Sequence, residues 1–274
     1  MRRYAKFLAV LLILAFTVVG LIGCGNKQAT SPAAADKPLK VGVTAGPHAE
    51  IMDEVKKIAA KDGLKIEVVE FNDYVQPNVA LSQGDIDANS FQHQPYLDNM
   101  VKDRKYDIVN VAKTIIFPMA VYSKKVKSLS ELKPGATIAI PNDPTNAGRA
   151  LLLLEKQGLL KLKPGTGLNA TAVDIAENPK NFKIKELDAA QVPRSLEDVE
   201  LAAINTNYAM TAGLVPNKDS LAIEDGDSPY ANIIAVKAKD KDNPVIAKFI
   251  KAYKSEEIKK FVNEHFKGSV VVVW

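Results

Sequence analysis

"YDIVNVAKTIIFPMAVYSKK", Tyr106 to Lys125, is a β-rich and largely apolar stretch of 20 residues. A single strand in a globular protein usually needs only about 5–6. The segment therefore reads as chain leaving one domain and entering another, with the change near Phe117-Pro118. On the amino-terminal side, strands and helices alternate. "LKVGVTA" (Leu39 to Ala45) is a strand broken by Gly46-Pro47. A helix follows with Ile51, Val55, Ile58 and Ala59 on one face, ending at Gly63. "KIEVVEF" is the next strand, with Asn72-Asp73 as its exit. A short helix after Pro77 ends at Gly84, Ala88 to Phe91 is a further strand, and Pro95 sits in the first turn of a helix running toward Arg104.

On the carboxyl side the pattern repeats. "ATIAIPNDPTNAGRALLLLEKQG" (Ala136 to Gly158) predicts a strand, a polar turn and a helix from about Thr145. "FKIKEL" and "LAAIN" are later strands, each followed by a helix-like stretch, and "ANIIAVKA" (Ala231 to Ala238) is a strand crossing back. Two helices close the chain, one after Pro244 and one capped by Ser255, with Glu256 and Glu257 in its first turn. Such alternation predicts an α/β fold with mainly parallel sheets flanked by helices. Two β-rich crossings predict two lobes with a cleft between them. The expected division is 39–117 plus 232–274 for one lobe and 118–231 for the other.

The first residues speak to location. Arg2, Arg3 and Lys6 precede the 16-residue apolar run "FLAVLLILAFTVVGLI", which Gly23 and Cys24 follow. A basic start, an apolar stretch and a small residue before the cut describe a secretory signal peptide over 1–23. The competing reading is a transmembrane anchor, for which the run is short. "LIGC", Leu21 to Cys24, resembles the bacterial lipobox. That resemblance implies cleavage before Cys24 and acylation of the cysteine, and several acyl chains anchor firmly where one is marginal. Cys24 is the only cysteine, so the mature chain forms no internal disulfide. "GNKQATSPAAADKP" completes a flexible linker over 24–38, with a reach of roughly 20 Å. The chain carries 36 basic and 32 acidic side chains, a net +4, which falls to +1 once the three basic residues of 1–23 are removed. A near-neutral body without a basic stripe argues against nucleic acid.

Enzyme chemistry finds little support. His48, His93 and His265 are far apart and none has a metal-ligand spacing. His265 lies near the end of the last helix, and His48 reads as a turn residue with a ligand role as the alternative. There is no GxSxG, Walker loop or GxGxxG. Asp85 and Asp87 flank a turn and a strand entry, where aspartate commonly caps or turns. No catalytic group, metal or cofactor is expected.

What remains is polar without being reactive. Arg149 lies one turn into the helix after "PNDPTNAG", whose start offers backbone N–H groups and the positive end of the dipole. A guanidinium there suits a carboxylate, a surface salt bridge being the alternative. Asn146, Asn205, Asn207 and Asn232 occupy turns or the return crossing. In a two-lobed chain Asn207 and Asn232 fall near the cleft, where their amide oxygens can accept from an ammonium group. In "GDIDANSFQHQPYLDNM", Phe91 and Tyr96 suit either a core or the walls of an apolar slot, with His93 adding a ring face and a polar tip.

"EFNDYVQPNVAL", "GDIDANSFQHQPYL", "IPNDPTNAGRALLLLE", "INTNYA" and "SPYANIIAV" together resemble the methionine-binding lipoproteins of bacterial ABC importers, in order from about Leu39 to the carboxyl end. The resemblance implies a two-lobed, type II-like periplasmic-binding-protein fold. Such a protein binds L-methionine, or its D enantiomer, and delivers it to a separate permease and ATPase. It implies that Arg149 pairs with the ligand carboxylate, with Asn146 nearby, and that Asn207 and Asn232 fix the ammonium and carboxylate ends. Tyr74, Phe91, His93 and Tyr96 would surround the side chain, where sulfur–aromatic contacts are worth about 0.3–1.5 kcal/mol each. Alternatives are a methionine-containing dipeptide or another apolar amino acid on the same fold, or a surface adhesin. The apolar tail "GSVVVVW" has no assigned role in this reading.

Overall fold

Twenty-two regular elements alternate along the computed structural model, which describes residues 37–226 and 228–274. In chain order they are β1 (Leu39–Thr44), α1 (Pro47–Lys61), β2 (Ile66–Phe71), α2 (Gln76–Gln83), β3 (Ala88–Asn89), α3 (Gln94–Arg104), β4 (Ile108–Lys113), β5 (Ile115–Ile116) and β6 (Ala120–Tyr122). Then come β7 (Thr137–Pro141), α4 (Pro144–Lys156), β8 (Lys161–Leu162), β9 (Ile175–Glu177), β10 (Lys183–Leu187), β11 (Leu201–Ile204), α5 (Thr206–Thr211) and α6 (Pro216–Asp219). The last are β12 (Ala222–Ile223), β13 (Ile233–Lys237), α7 (Pro244–Tyr253), α8 (Glu256–Phe266) and β14 (Val271–Val272). The signal peptide, Cys24 and most of the linker lie outside the described residues.

Two five-stranded sheets form the lobes, ordered β2-β1-β3-β13-β4 and β10-β7-β11-β6-β12. Their pairing is alike. In each, two parallel pairs adjoin two antiparallel pairs. The sheets are therefore mixed, where the alternation alone predicts mainly parallel ones. Parallel neighbours need a helical crossover. Strands β13 and β6 instead enter their sheets from the opposite lobe and pair antiparallel. The stretch from Tyr106 divides accordingly: β4 belongs to the first sheet and β6 to the second, with Phe117 and Pro118 between them.

Local chemistry sets the elements that carry the cleft. Helix α1 starts at Pro47, buries Ile51, Met52, Val55 and Ala59, and packs them against β1. Strand β1 is buried almost throughout. A Cβ at its Gly42 would meet Ile86 Cδ1 at 2.5 Å and Phe71 Cε2 at 3.0 Å, so a larger residue there would have to displace these two side chains. Strand β3 is shorter than the expected run to Phe91. The Ser90 N–H donates to Gly42 O and the Ile233 N–H to Gln92 O, and the chain turns out of the ladder toward the cleft.

The apolar tail finds its place here. Val271 and Val272 pair antiparallel with Ile116 and Ile115 of the first crossing, and Trp274 meets Tyr253 edge-on at 5.9 Å. His265 is half exposed, stacked on Phe261 and 2.7 Å from Glu50. Among the described residues, no helix is long and apolar enough to cross a membrane.

Candidate ligand site

A narrow cavity, with room for little more than water, lies between the two sheets. Tyr74, Phe91, His93 and Tyr96 line it from the first lobe. Asn146, Arg149 and Asn207 line it from the second, and Asn232 from the return crossing. All eight residues singled out from the sequence thus converge on one space.

The aromatic wall is built from the first lobe. Tyr74, Phe91 and Tyr96 sit about one ring contact apart, with centroids 6.0–6.1 Å from one another. Behind them, three buried amides close a ring of hydrogen bonds. Asn78 and Gln92 exchange two bonds of 2.8 Å, and Asn89 joins both. A buried polar network with every member satisfied is rigid, and this one fixes the turn that presents Phe91 and His93.

Hydrogen-bond polarity determines the rest. Asp143 caps helix α4 and accepts from the Asn146 backbone N–H at 2.9 Å. It also accepts from Asn146 Nδ2 at 2.9 and 3.0 Å. A carboxylate can only accept, so Asn146 Oδ1 must face the cavity. His93 Nε2 lies 3.2 Å from that oxygen and therefore donates, while its Nδ1 accepts from the Tyr96 N–H. Burial, with the nearby Arg149 charge, pushes the His93 pKa down to about 3. The ring is a neutral Nε2–H tautomer.

Asn205 Nδ2 also donates to Asn146 Oδ1, at 2.9 Å, which leaves Asn205 Oδ1 buried without a partner among the described residues. The Tyr74 hydroxyl donates to Asn207 Oδ1, which leaves Asn207 Nδ2 in the same condition. The sequence reading expected the Asn207 oxygen to accept from a ligand. That oxygen already accepts from Tyr74 and keeps one lone pair, while Asn205 Oδ1 is a second buried acceptor beside it. One unmet acceptor and one unmet donor, each costing roughly 1–3 kcal/mol while unpaired, match an ammonium and a carboxylate.

Arg149 is 3% exposed and is neither a surface salt bridge nor an isolated cation. Its Nε and Nη2 donate to the two oxygens of Glu224 at 2.8 and 2.5 Å, and Nη2 also donates to Phe117 O at 2.8 Å. The Tyr230 ring covers one face at 4.4 Å. Nη1 makes no hydrogen bond to another side chain or carbonyl among the described residues. The helix terminus beside it is not the open anion site that the sequence suggested, because the Asp143 carboxylate occupies it.

His48, Gln92, Phe117, Asn205 and Thr206 complete the lining. His48 is a wall of the cavity rather than a turn residue. Gly46, at φ 81°, turns the chain so that the ring packs on Phe117 at 4.3 Å. Its Nδ1 lies 2.8 Å from Thr44 Oγ1 and its Nε2 2.8 Å from Asn232 Nδ2, and burial lowers its pKa to about 3. Glu224 and Tyr230 are the other supporting groups missed in the sequence: Glu224 lies in none of the quoted motifs, and Tyr230 lies within "SPYANIIAV" with no role assigned to it. No cluster of three or more metal-ligating side chains occurs among the described residues.

Two mixed sheets joined by paired crossings, closed over a polar and aromatic cavity, define a two-lobed substrate-binding protein of the periplasmic type. Residues 39–274 match the NlpA lipoprotein family, and the chain belongs to it. It is 52% identical over 259 residues to the D-methionine-binding lipoprotein MetQ of Salmonella typhimurium, covering 93% of this chain and 94% of that one. A nutrient-binding protein from Burkholderia cenocepacia, solved bound to methionine, superposes with a TM-score of 0.85 at 59% identity, over 86% of this chain and all of the other. A periplasmic substrate-binding protein of an ABC transporter from Coxiella burnetii gives 0.83 at 48% identity, over 86% and 100%.

Proposed function

We propose that this protein is a lipid-anchored, extracytoplasmic binding protein that captures methionine in the cleft and delivers it to the permease and ATPase of an ABC importer. One observation carries the ligand class: the pairing of an unmet acceptor on Asn205 with an unmet donor on Asn207, beside a wall of three aromatic rings. A zwitterionic amino acid satisfies both amides, and its carboxylate also meets Nη1 of Arg149. A thioether side chain suits the aromatic wall. The relatives named for methionine, and the one solved with it, support the same ligand. The membership in a lipoprotein family supports Cys24 as the anchor.

Binding works by hinge closure. A ligand that contacts both lobes favours the closed form over the open one by its differential affinity. The test is thermal unfolding of residues 25–274, refolded to strip bound ligand, against the twenty amino acids, D-methionine, norleucine and methionine dipeptides. A ligand at about a hundred times its Kd adds about 2.7 kcal/mol. A shift with methionine larger than with norleucine supports both ligand and slot. A larger shift with a dipeptide keeps the fold and changes the substrate, and no shift at all favours an adhesin.

A further inference from the structure

Arg149 is the one formally charged side chain that lines the cavity among the described residues, because His48 and His93 are held neutral by burial. Its charge does not stand alone. The Glu224 carboxylate engages Nε and Nη2, and the pair is 3% and 12% exposed. Glu224 is itself held from two sides. Its Oε2 accepts from the Met119 N–H at 2.9 Å, and its own N–H donates to Met119 O at 2.9 Å. The end of β12 therefore carries a carboxylate fixed against the start of β6 and aimed at the guanidinium. A second acid, Asp143, sits behind Asn146.

We propose that Glu224 sets the charge class of ligand that the cleft accepts, by balancing Arg149 so that the site favours a zwitterion over an anion. This rests on the assignment of the cleft as the methionine site. Glu224 touches no ligand in this arrangement; it is a positioning residue that acts through Arg149. With the pair intact, the guanidinium charge is offset, the Asp143 carboxylate lies behind Asn146, and a ligand carrying both ammonium and carboxylate adds no net charge. Without the carboxylate, Arg149 loses its one ion-pair partner among the described residues, and a ligand with one net negative charge gains relative to a neutral one.

The discriminating measurement compares two ligands of the same shape. These are L-methionine and its α-hydroxy analogue, in which a hydroxyl replaces the ammonium and leaves one net negative charge. Titration calorimetry on the full chain, refolded free of ligand, gives the ratio of the two Kd values, which cancels any general loosening of the fold. In Glu224→Gln the ratio should shift toward the hydroxy acid by about tenfold or more, since a full charge is unmasked in a poorly hydrated site. In Glu224→Asp, which keeps the charge, it should stay within about threefold of wild type even if both affinities fall. Should Glu224→Gln fail to refold, Glu224→Ser, small enough to admit water beside the guanidinium, carries the same expectation. A Gln or Ser variant that binds methionine with the wild-type ratio overturns the proposal. A wild-type chain that binds neither compound overturns the methionine reading and the proposal with it.

Discussion

The Tyr74 hydroxyl donates to Asn207 Oδ1 at 2.6 Å, joining the loop after β2 in one lobe to the first turn of α5 in the other. The His93–Asn146 contact at 3.2 Å and the Tyr208 hydroxyl on Asn72 O at 3.3 Å bridge the same cleft. Two of these three contacts, Tyr74–Asn207 and His93–Asn146, join residues that also wall the cavity. Ligand binding and lobe closure therefore share Tyr74, His93, Asn146 and Asn207.

Tyr74→Phe removes the cross-lobe bond and keeps the ring. One neutral hydrogen bond nets about 0.5–1.5 kcal/mol. Affinity for methionine should fall about three- to tenfold, with secondary structure and the melting temperature of the ligand-free protein nearly unchanged. Calorimetric titration checks it, and an unaltered Kd would separate this contact from the binding equilibrium.

Arg149→Ala has two consequences that a double variant separates. Removing one member of a buried ion pair strands the other, at a cost of about 3–5 kcal/mol. The single variant should lose that much stability in urea as well as most of its affinity. Arg149→Ala with Glu224→Ala should regain most of the stability and none of the binding. Recovery of methionine binding in the double variant would remove Arg149 from the site.

Acid should destabilise the protein well above the carboxylate range. His48 and His93 have folded pKa values of about 3, below the ordinary 6.5. Between those values the unfolded chain binds protons that the folded chain refuses. The stability they contribute is whole above pH 6.5 and is lost as pH falls toward 3, by about 1.4 kcal/mol per pH unit for each histidine. Asp143, its pKa raised by burial, acts in the opposite sense at the acid end. Urea unfolding across this range should show the slope, and His48→Gln should remove about half of it. A slope indifferent to that substitution would contradict the buried neutral ring.

Gly148→Ala tests how Arg149 is seated. A Cβ there would lie 2.3 Å from Leu168 O and 3.0 Å from the Ala170 nitrogen, both backbone atoms. Overpacking of this kind typically costs about 1–3 kcal/mol. It should also weaken methionine binding, because α4 must shift with its next residue in the site. Denaturant unfolding and titration on one preparation check both effects, and a stability equal to wild type would mean that the 167–170 loop yields freely.

Much of this molecule is written locally. Periodic apolar positions place α1, α4 and α8. Pro47, Pro144 and Ser255 mark their starts, and the long β-rich stretch from Tyr106 announces a chain with two lobes. The element readings depend on residues within a turn or two of one another, where spacing and backbone preference suffice. The aromatic and amide residues of the cavity are joined into one site only by the family resemblance of their motifs, residue type alone leaving Phe91 and Tyr96 between core and slot. The tertiary structure alone decided which strands pair antiparallel, where the apolar tail docks, and what each polar atom does. Glu224 lies 75 residues from Arg149, and Asn207 lies 133 residues from Tyr74. Whether an amide offers its oxygen or its nitrogen to the cavity follows from the partner on its other side. Asn146 turns its oxygen inward because Asp143 can only accept, and that in turn frees the oxygen of Asn205. Residue type is a property of the chain, but hydrogen-bond direction and charge balance in a buried site exist only once distant segments have met.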